Sequence, residues 1–151
     1  MLKEFLSIAL KRHLDETMPF IERLTDGDLS KVPVKNGRPL GEVVLHILRS
    51  IEYYLVGLTR NEWAPLPYSL EEYSTAESIR KLASDVTIRA HDYIGQLNDD
   101  DLTRSLEGFN RSATVVEILL ELIEHSIHHR GQITVYYRLL GIDVPTIPYI
   151  I

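Results

Sequence analysis

Four stretches of the chain carry apolar residues at helical spacing, and clusters of Gly and Pro separate them. The connections of about 14 residues are longer than the short turns of a simple up-and-down bundle. They are long enough to run the length of a helix, so crossover connections are possible and the topology stays open. The chain is therefore predicted to be an all-α four-helix bundle in a single domain, residues 1–151. The predicted helices lie at about 2–24, 39–59, 74–97 and 112–140.

Individual residues predict where these helices begin, end or break. Pro39 suits the first turn of the second helix, and Ser112 stands where it can cap the last one. Gly141 suits the C-terminal end of that helix. Pro19 lies inside the first helix, where a proline removes a hydrogen bond. We therefore expect a kink or break near Met18.

Two segments about half a chain apart resemble each other. They are LTDGDLSK at 24–31 and LNDDDLTR at 97–104, and each follows a predicted helix. The similarity has two explanations: turn chemistry common to Asp-rich segments, or a duplicated pair of helical hairpins. Neither segment has the spaced acidic ligands and the terminal Glu of a calcium-binding EF-hand loop.

Composition excludes several classes of protein. The chain has no Cys, which rules out disulfides, Cys-ligated zinc, iron–sulfur clusters and a Cys nucleophile. Sixteen Lys and Arg against 22 Asp and Glu give a net charge of −6, which argues against a nucleic-acid partner. Charges interrupt every apolar run, including the N-terminal one, so we expect a cytoplasmic protein with no membrane partner.

The six histidines differ in where they lie on the predicted helices. His125 and His129 are four positions apart on the apolar side of the last helix, a spacing that lets two imidazoles bind one metal ion. His128 lies at the shoulder of that side. Ser126 follows His125, so the Glu of the metalloprotease HExxH motif is absent. Hydrogen-bonded core or surface histidines are the alternative explanation.

A divalent ion needs at least one further protein ligand, and two histidines are candidates. His46 lies on a shoulder of the apolar side of the second helix, where it can face a neighbouring helix. His13 lies on the buried side of the first helix, where a hydrogen-bonded core histidine is the more frequent outcome. His91, next to Asp92, is predicted to be a solvated surface residue.

The last predicted helix and the segment after it carry the most specific motifs. Within HSIHHRGQITVYYRLLGIDVP, the HxxxHRGQ motif occupies 125–132 and LLGxxxP occupies 139–145. Together with the mid-helix His46 and the Leu- and Asp-rich turn before the last helix, these motifs resemble the DinB-like superfamily. The resemblance covers nearly the whole chain. It implies a four-helix bundle with up-down-down-up topology and long connections.

The resemblance also implies a divalent metal ion held by three histidines, one from the second helix and two from the fourth. Carried over by position, these ligands are His46, His125 and His129, and they leave His13 and His128 outside the set. Three imidazoles leave coordination positions open for water or substrate, which is typical of a catalytic site. The ion could be Zn, Ni, Fe or Mn, which the ligand types do not distinguish.

Characterised DinB-like enzymes include transferases and isomerases that use low-molecular-weight thiols. The resemblance therefore implies a metal-dependent thiol S-transferase, or a hydrolase-like relative, that acts on a small electrophile with the thiol as cosubstrate. No catalytic residue is singled out. The alternatives are a non-catalytic metal-binding module for stress response or protein interaction, and a helical dimer with vestigial ligands. The family resemblance also implies a homodimer.

Several side chains near these histidines have two possible roles. Glu42, Glu121 and Gln132 are placed to accept an imidazole N–H and so fix its tautomer, although exposed Glu residues are common on helices. Arg130 lies on a different face, where it would anchor an anion or form a surface ion pair. The remaining candidates are aromatic and could line a pocket or pack in the core, and we expect most of them in the core. They are Tyr53, Tyr54, Tyr136 and Tyr137.

Overall fold

A computed structural model describes residues 1–149 of the chain. Four α-helices form, and each boundary lies within three residues of the predicted one. Apart from an isolated bridge between Ser105 and Thr114, this part of the chain contains no β-structure. None of its helices has the length and hydropathy needed to cross a membrane. The helices are α1 (Leu2–Glu22), α2 (Leu40–Arg60), α3 (Ala76–Gln96) and α4 (Val115–Leu140).

Contacts between helices establish how α1, α2 and α3 run. Lys3 Nζ, at the start of α1, donates to the carbonyl of Gly95 at the end of α3 at 3.2 Å, so these two helices are antiparallel. Arg89 pairs with Glu52, and further along both helices the Arg60 guanidinium lies 5.2 Å from the centre of the Tyr93 ring. Helices α2 and α3 are therefore parallel.

The fourth helix runs alongside the first. His13 contacts Arg130, and Phe20 stacks on Tyr137 with ring centroids 6.0 Å apart, so α1 and α4 are parallel. Helix α1 also packs against α3, and α4 also packs against α2. Helix α1 therefore lies diagonally across the bundle from α2. The order is up-down-down-up, which confirms the predicted fold and explains the need for long connections.

The apolar sides of the helices meet in one core. Phe20, Tyr136 and Tyr137 are among its largest fully buried side chains. The Tyr137 hydroxyl donates to the Phe20 carbonyl, so its polar atom is satisfied inside the core. The prediction that most of the tyrosines pack in the core is thus confirmed for Tyr136 and Tyr137.

The predicted cap of α4 is wrong, and the break considered near Met18 does not occur. The cap of α4 is Thr114 and not Ser112, because Glu117 three residues later accepts from the Thr114 backbone N–H at 2.7 Å and completes a capping box. Helix α1 continues through Pro19 without a break. The carbonyl that loses its partner there belongs to Asp15, which is exposed, so water can satisfy it.

The two similar segments each form a short 3₁₀ turn after a helix, at Asp26–Asp28 and Asp100–Thr103. Corresponding positions also make corresponding contacts. Asp26 accepts from the backbone N–H of Ala76 at the start of α3 at 2.7 Å, and Asp99 accepts from that of Lys3 at the start of α1 at 2.9 Å. This exchange favours a duplication, because shared turn chemistry alone does not place both caps on the opposite half of the chain. The repeated unit is not a packed hairpin, since its two helices lie diagonally across the bundle.

Candidate metal centre

Three histidines from two neighbouring helices converge near the middle of the bundle. His46 on α2 and His125 and His129 on α4 each place one ring nitrogen within 4.8 Å of the others. The Nε2 atoms of His46 and His125 lie 3.1 Å apart. These are the three residues that the family resemblance identifies, and all three are half-buried. No other His, Cys, Asp or Glu in the described part of the chain joins this group.

The tautomer of His129 is set by its neighbour one turn along α4. His129 Nδ1 donates to Gln132 Oε1 at 2.9 Å, which leaves the Nε2 lone pair available to a ligand. Gln132 Nε2 in turn lies 3.5 Å from the Tyr136 hydroxyl. The predicted role of Gln132 is thus supported by geometry.

The prediction that Glu42 and Glu121 accept an imidazole N–H is wrong. Glu42 accepts from the backbone N–H of Leu70 at 2.7 Å, and Glu121 pairs with Arg111. Both carboxylates are engaged by groups outside the triad, since the loops before α3 and α4 fold back against these helices. Neither residue therefore fixes an imidazole tautomer.

Arg49 contacts His46, one helical turn before it on α2. This contact was not identified from the sequence. The Arg49 Nη2 atom lies 3.2 Å from His46 Nδ1. A guanidinium only donates, so Nδ1 accepts and the proton of the neutral ring lies on Nε2, facing His125. His125 Nδ1 is buried and has no hydrogen-bond partner among residues 1–149. Within the triad, His46 Nε2 therefore donates its N–H to His125 Nε2.

This donor set fits a divalent ion. Two imidazole nitrogens bound to one Zn²⁺ at about 2.0–2.1 Å are held close to each other, and the observed Nε2 separation of 3.1 Å is of that order. An ion would take the place of the shared proton. The one contact that must change is that of Arg49, because a neutral imidazole that binds through Nε2 carries its proton on Nδ1.

The ring charges also suit metal binding. Burial, together with neighbouring imidazoles and arginines, lowers the pKa of both His46 and His125 to about 4. Burial also lowers the pKa of His129, against the opposing hydrogen bond to Gln132. At neutral pH all three rings are neutral, the form in which imidazole binds a metal.

Two cavities adjoin the triad. One of about 660 Å³ lies between α4 and the loop before α2, and its lining includes Arg38, His128 and His129. The other, of about 320 Å³, is lined by aromatic and apolar side chains together with His46, Arg49 and His125. Tyr53 and Tyr54 are half-buried in its wall, so the expectation of a core position does not hold for them.

His13 lies outside the triad, as expected of a hydrogen-bonded core histidine. It is 3% exposed, its Nδ1 lies 3.1 Å from Arg130 Nη1, and its Nε2 lies 3.5 Å from the Thr17 hydroxyl. Arg130 is itself buried and also contacts Glu16, which corrects the expectation of a surface ion pair. The reason is that α4 packs against α1 as well as α2, so two of its faces are buried.

His91 is also not the solvated residue that its neighbour Asp92 suggested. Its ring is half-buried, and Nε2 is enclosed without a hydrogen-bond partner in the described part of the chain. Successive residues of a helix point about 100° apart, so the exposure of Asp92 does not extend to His91.

Acid should destabilise the metal-free protein through His13. Burial, reinforced by Arg130 and opposed by Glu16, lowers the pKa of His13 from 6.5 to about 4. Between these values the unfolded chain binds the proton and the folded one does not. The free energy of unfolding should therefore fall by about 2 kcal/mol per such histidine from pH 7 to pH 5.

Urea unfolding at the two pH values measures this effect. His46 and His125 act in the same direction, so the His13→Gln variant is the reference, since Gln can still accept from Arg130. The variant should lose about 2 kcal/mol less than the wild type. Equal losses in the two proteins would show that His13 is not responsible.

Comparison with known proteins identifies the family. The DinB family matches over residues 3–150. The uncharacterized protein YjoA of Bacillus subtilis is 27% identical over 132 residues, which cover 85% of this chain and 84% of that protein. A DinB-like protein from Bacillus cereus is 28% identical, and its crystal structure superposes with a TM-score of 0.80 over 95% of this chain and 96% of that one.

A more distant structure shows the same fold. YfiT from Bacillus subtilis, described as having an unusual four-helix bundle topology, matches with a TM-score of 0.66 at 21% identity. The match covers 93% of this chain and 89% of YfiT. The motifs of α4, the order of the helices and the sequence match agree. The chain belongs to the DinB family.

Proposed function

We propose that this protein is a divalent-metal-dependent enzyme with His46, His125 and His129 as its metal ligands. The observation that carries the proposal is the convergence of three neutral ring nitrogens within 4.8 Å beside two cavities. A set of three imidazoles without a carboxylate or thiolate leaves coordination positions for water or substrate. The cavities favour an enzyme over a non-catalytic metal-binding module, because both lead to the triad.

The reaction that we propose is thiol S-transfer to a small electrophile. When bound, a divalent ion supplies Lewis acidity, which lowers the pKa of a coordinated water or thiol. The chain has no Cys, so the nucleophilic sulfur belongs to a low-molecular-weight thiol cosubstrate. Its sulfur forms a bond to the electrophile as the bond to the leaving group breaks. The leaving group departs with that electron pair, and the thiol proton passes to solvent. Gln132 orients His129, and Tyr53 and Tyr54 provide an apolar wall for the electrophile.

Hydrolysis is the second candidate. YfiT is described as a "probable metal-dependent hydrolase" and shares this fold. In that reaction water replaces the thiol as nucleophile, and the same three histidines serve the same purpose. The two reactions differ in one requirement, because only S-transfer depends on an added thiol.

Metal analysis combined with an activity screen tests the proposal. The purified protein should bind about one divalent ion per chain and conjugate a thiol to 1-chloro-2,4-dinitrobenzene or another small electrophile. Chelation should abolish this activity, and one equivalent of Zn²⁺, Ni²⁺, Fe²⁺ or Mn²⁺ should restore it. Product release without a thiol would favour hydrolysis. Activity that survives complete removal of the metal would exclude a metal-dependent enzyme.

The homodimer, the cytoplasmic location and the lack of a nucleic-acid partner stay predictions. Exposed apolar side chains on adjoining faces of α1 and α4 support the homodimer, because such residues are commonly covered by a partner. They include Phe5, Ile8 and Ile127.

A further inference from the structure

The surroundings of the triad are cationic, although the protein has a net charge of −6. Arg38 lines the larger cavity and Arg49 the smaller one. Neither guanidinium has an ion pair among the described residues. No Asp or Glu belongs to the described lining of either cavity. The carboxylates of α2 and α4 that were expected near the triad, Glu42 and Glu121, are engaged elsewhere.

The two arginines differ in what they already bind. Arg49 Nη1 donates to the carbonyl of Tyr68 at 2.8 Å, and its Nη2 contacts His46. Arg38 makes no hydrogen bond with any residue among 1–149 and is exposed in the mouth of the larger cavity. Arg38 is therefore the guanidinium whose donors are available to a ligand.

The backbone beside Arg38 is held against α4. Asn36 in this loop adopts a left-handed conformation with φ of 60°. At Gly37 a Cβ atom would lie 2.5 Å from the Tyr136 hydroxyl oxygen, so only glycine permits this approach. Tyr136 also contacts Gln132, the residue that orients His129. The loop thus presents Arg38 at a defined place next to the triad.

The electrostatic field of Arg38 reaches all three imidazoles, since it contributes to lowering the pKa of His46, His125 and His129. A divalent ion on neutral imidazoles would add further positive charge to a site that already has two guanidinium groups. Such a site attracts anions and excludes cations. A single guanidinium can bind a planar carboxylate through two parallel N–H donors.

We propose that the thiol cosubstrate of this site carries a carboxylate and that Arg38 binds it from the larger cavity. This inference rests on the proposed function and adds the chemical class that the site selects. Arg38 is then a specificity-determining residue, and its contribution is electrostatic, so it weakens as salt is added.

The test compares two small thiols that differ in charge. The protein is loaded with Co²⁺, and the visible absorption of the ion reports binding of 3-mercaptopropionate or 2-mercaptoethanol under anaerobic conditions. The wild type should bind the carboxylate-bearing thiol about three- to tenfold more tightly at low salt. The preference should disappear in Arg38→Gln and return in part in Arg38→Lys.

Lys35→Gln is the matched control. It removes the same charge from the same exposed loop, but Lys35 does not line the cavity, so the preference should persist. A preference that survives in Arg38→Gln would overturn the inference, since the carboxylate would then bind elsewhere. Equal affinity of the wild type for both thiols would also overturn it and leave the proposed function intact. Failure of both thiols to perturb Co²⁺ would overturn the proposed function, and the inference with it.

Discussion

Replacing His125 with alanine is expected to weaken the binding of Zn²⁺ or Ni²⁺ by more than a hundredfold. His125 contributes one of only three ring nitrogens that meet within 4.8 Å, and loss of a residue that merely supports a ligand already costs about 10–100-fold. In the wild type, metal at a thousand times its Kd should add about 4 kcal/mol to the free energy of unfolding. In the variant, the same concentration should add less than about 1.4 kcal/mol.

Chemical unfolding with and without metal measures this difference, and His128→Ala is the matched control. His128 is an exposed histidine one residue before His129 and does not belong to the triad. It should retain the full stabilisation by metal. The metal-free His125→Ala protein should lose little stability, because loss of the hydrogen bond from His46 Nε2 is offset by removal of the buried His125 Nδ1, which has no partner in the described chain. Equal metal responses of the two variants would refute the ligand assignment.

Glu52→Ala is expected to destabilise the protein by about 3 kcal/mol. The Glu52 side chain is 7% exposed and accepts from Arg89 Nε at 2.5 Å, from Arg89 Nη2 at 2.9 Å and from the Tyr68 hydroxyl. It therefore joins α2 to α3 and to the connection between them. Removal leaves three donor atoms, two on Arg89 and one on Tyr68, without their acceptor. The cost is at the low end for a buried ion pair, because Arg89 is 38% exposed and water can reach it.

Urea unfolding at pH 7 checks this value, with Glu124→Ala as the comparison. Glu124 is an exposed residue of α4, and its replacement should change the free energy of unfolding by no more than about 0.5 kcal/mol. In an Arg89→Met background, Glu52→Ala should cost clearly less than in the wild type. An unchanged cost in that background would show that the ion pair is not the source of the effect.

The helices could be predicted from the sequence because apolar spacing and Gly and Pro clusters act locally. Their exact ends depend on which of several nearby residues makes the better cap, and a single residue does not show this. Ser112 and Thr114 are both suitable caps, and Thr114 prevails since Glu117 completes its capping box. Pro19 is tolerated because the lost hydrogen bond falls on the exposed Asp15, which depends on how α1 is buried.

The three histidines of the candidate site could be found for a similar reason. The spacing of His125 and His129 is local, and both the position of His46 on the second helix and the family resemblance indicate His46 as the third ligand. Arg38 and Arg130 could not be assigned, because their surroundings depend on which loop or helix packs against α4. When two faces of a helix are buried, a prediction that assumes a single apolar side does not identify the second buried face.

The caps exchanged between the two halves of the chain, α1 with α2 and α3 with α4, affect how the protein unfolds. Asp26 holds the first turn of α3, and Asp99 holds the first turn of α1. Each half thus supplies an acceptor to the first turn of the other half's first helix, in addition to the capping box that Thr75 forms at the start of α3. The two halves are thereby coupled, since opening either one removes a capping acceptor from the other. Cooperative loss of structure across both halves follows from two aspartates at equivalent positions.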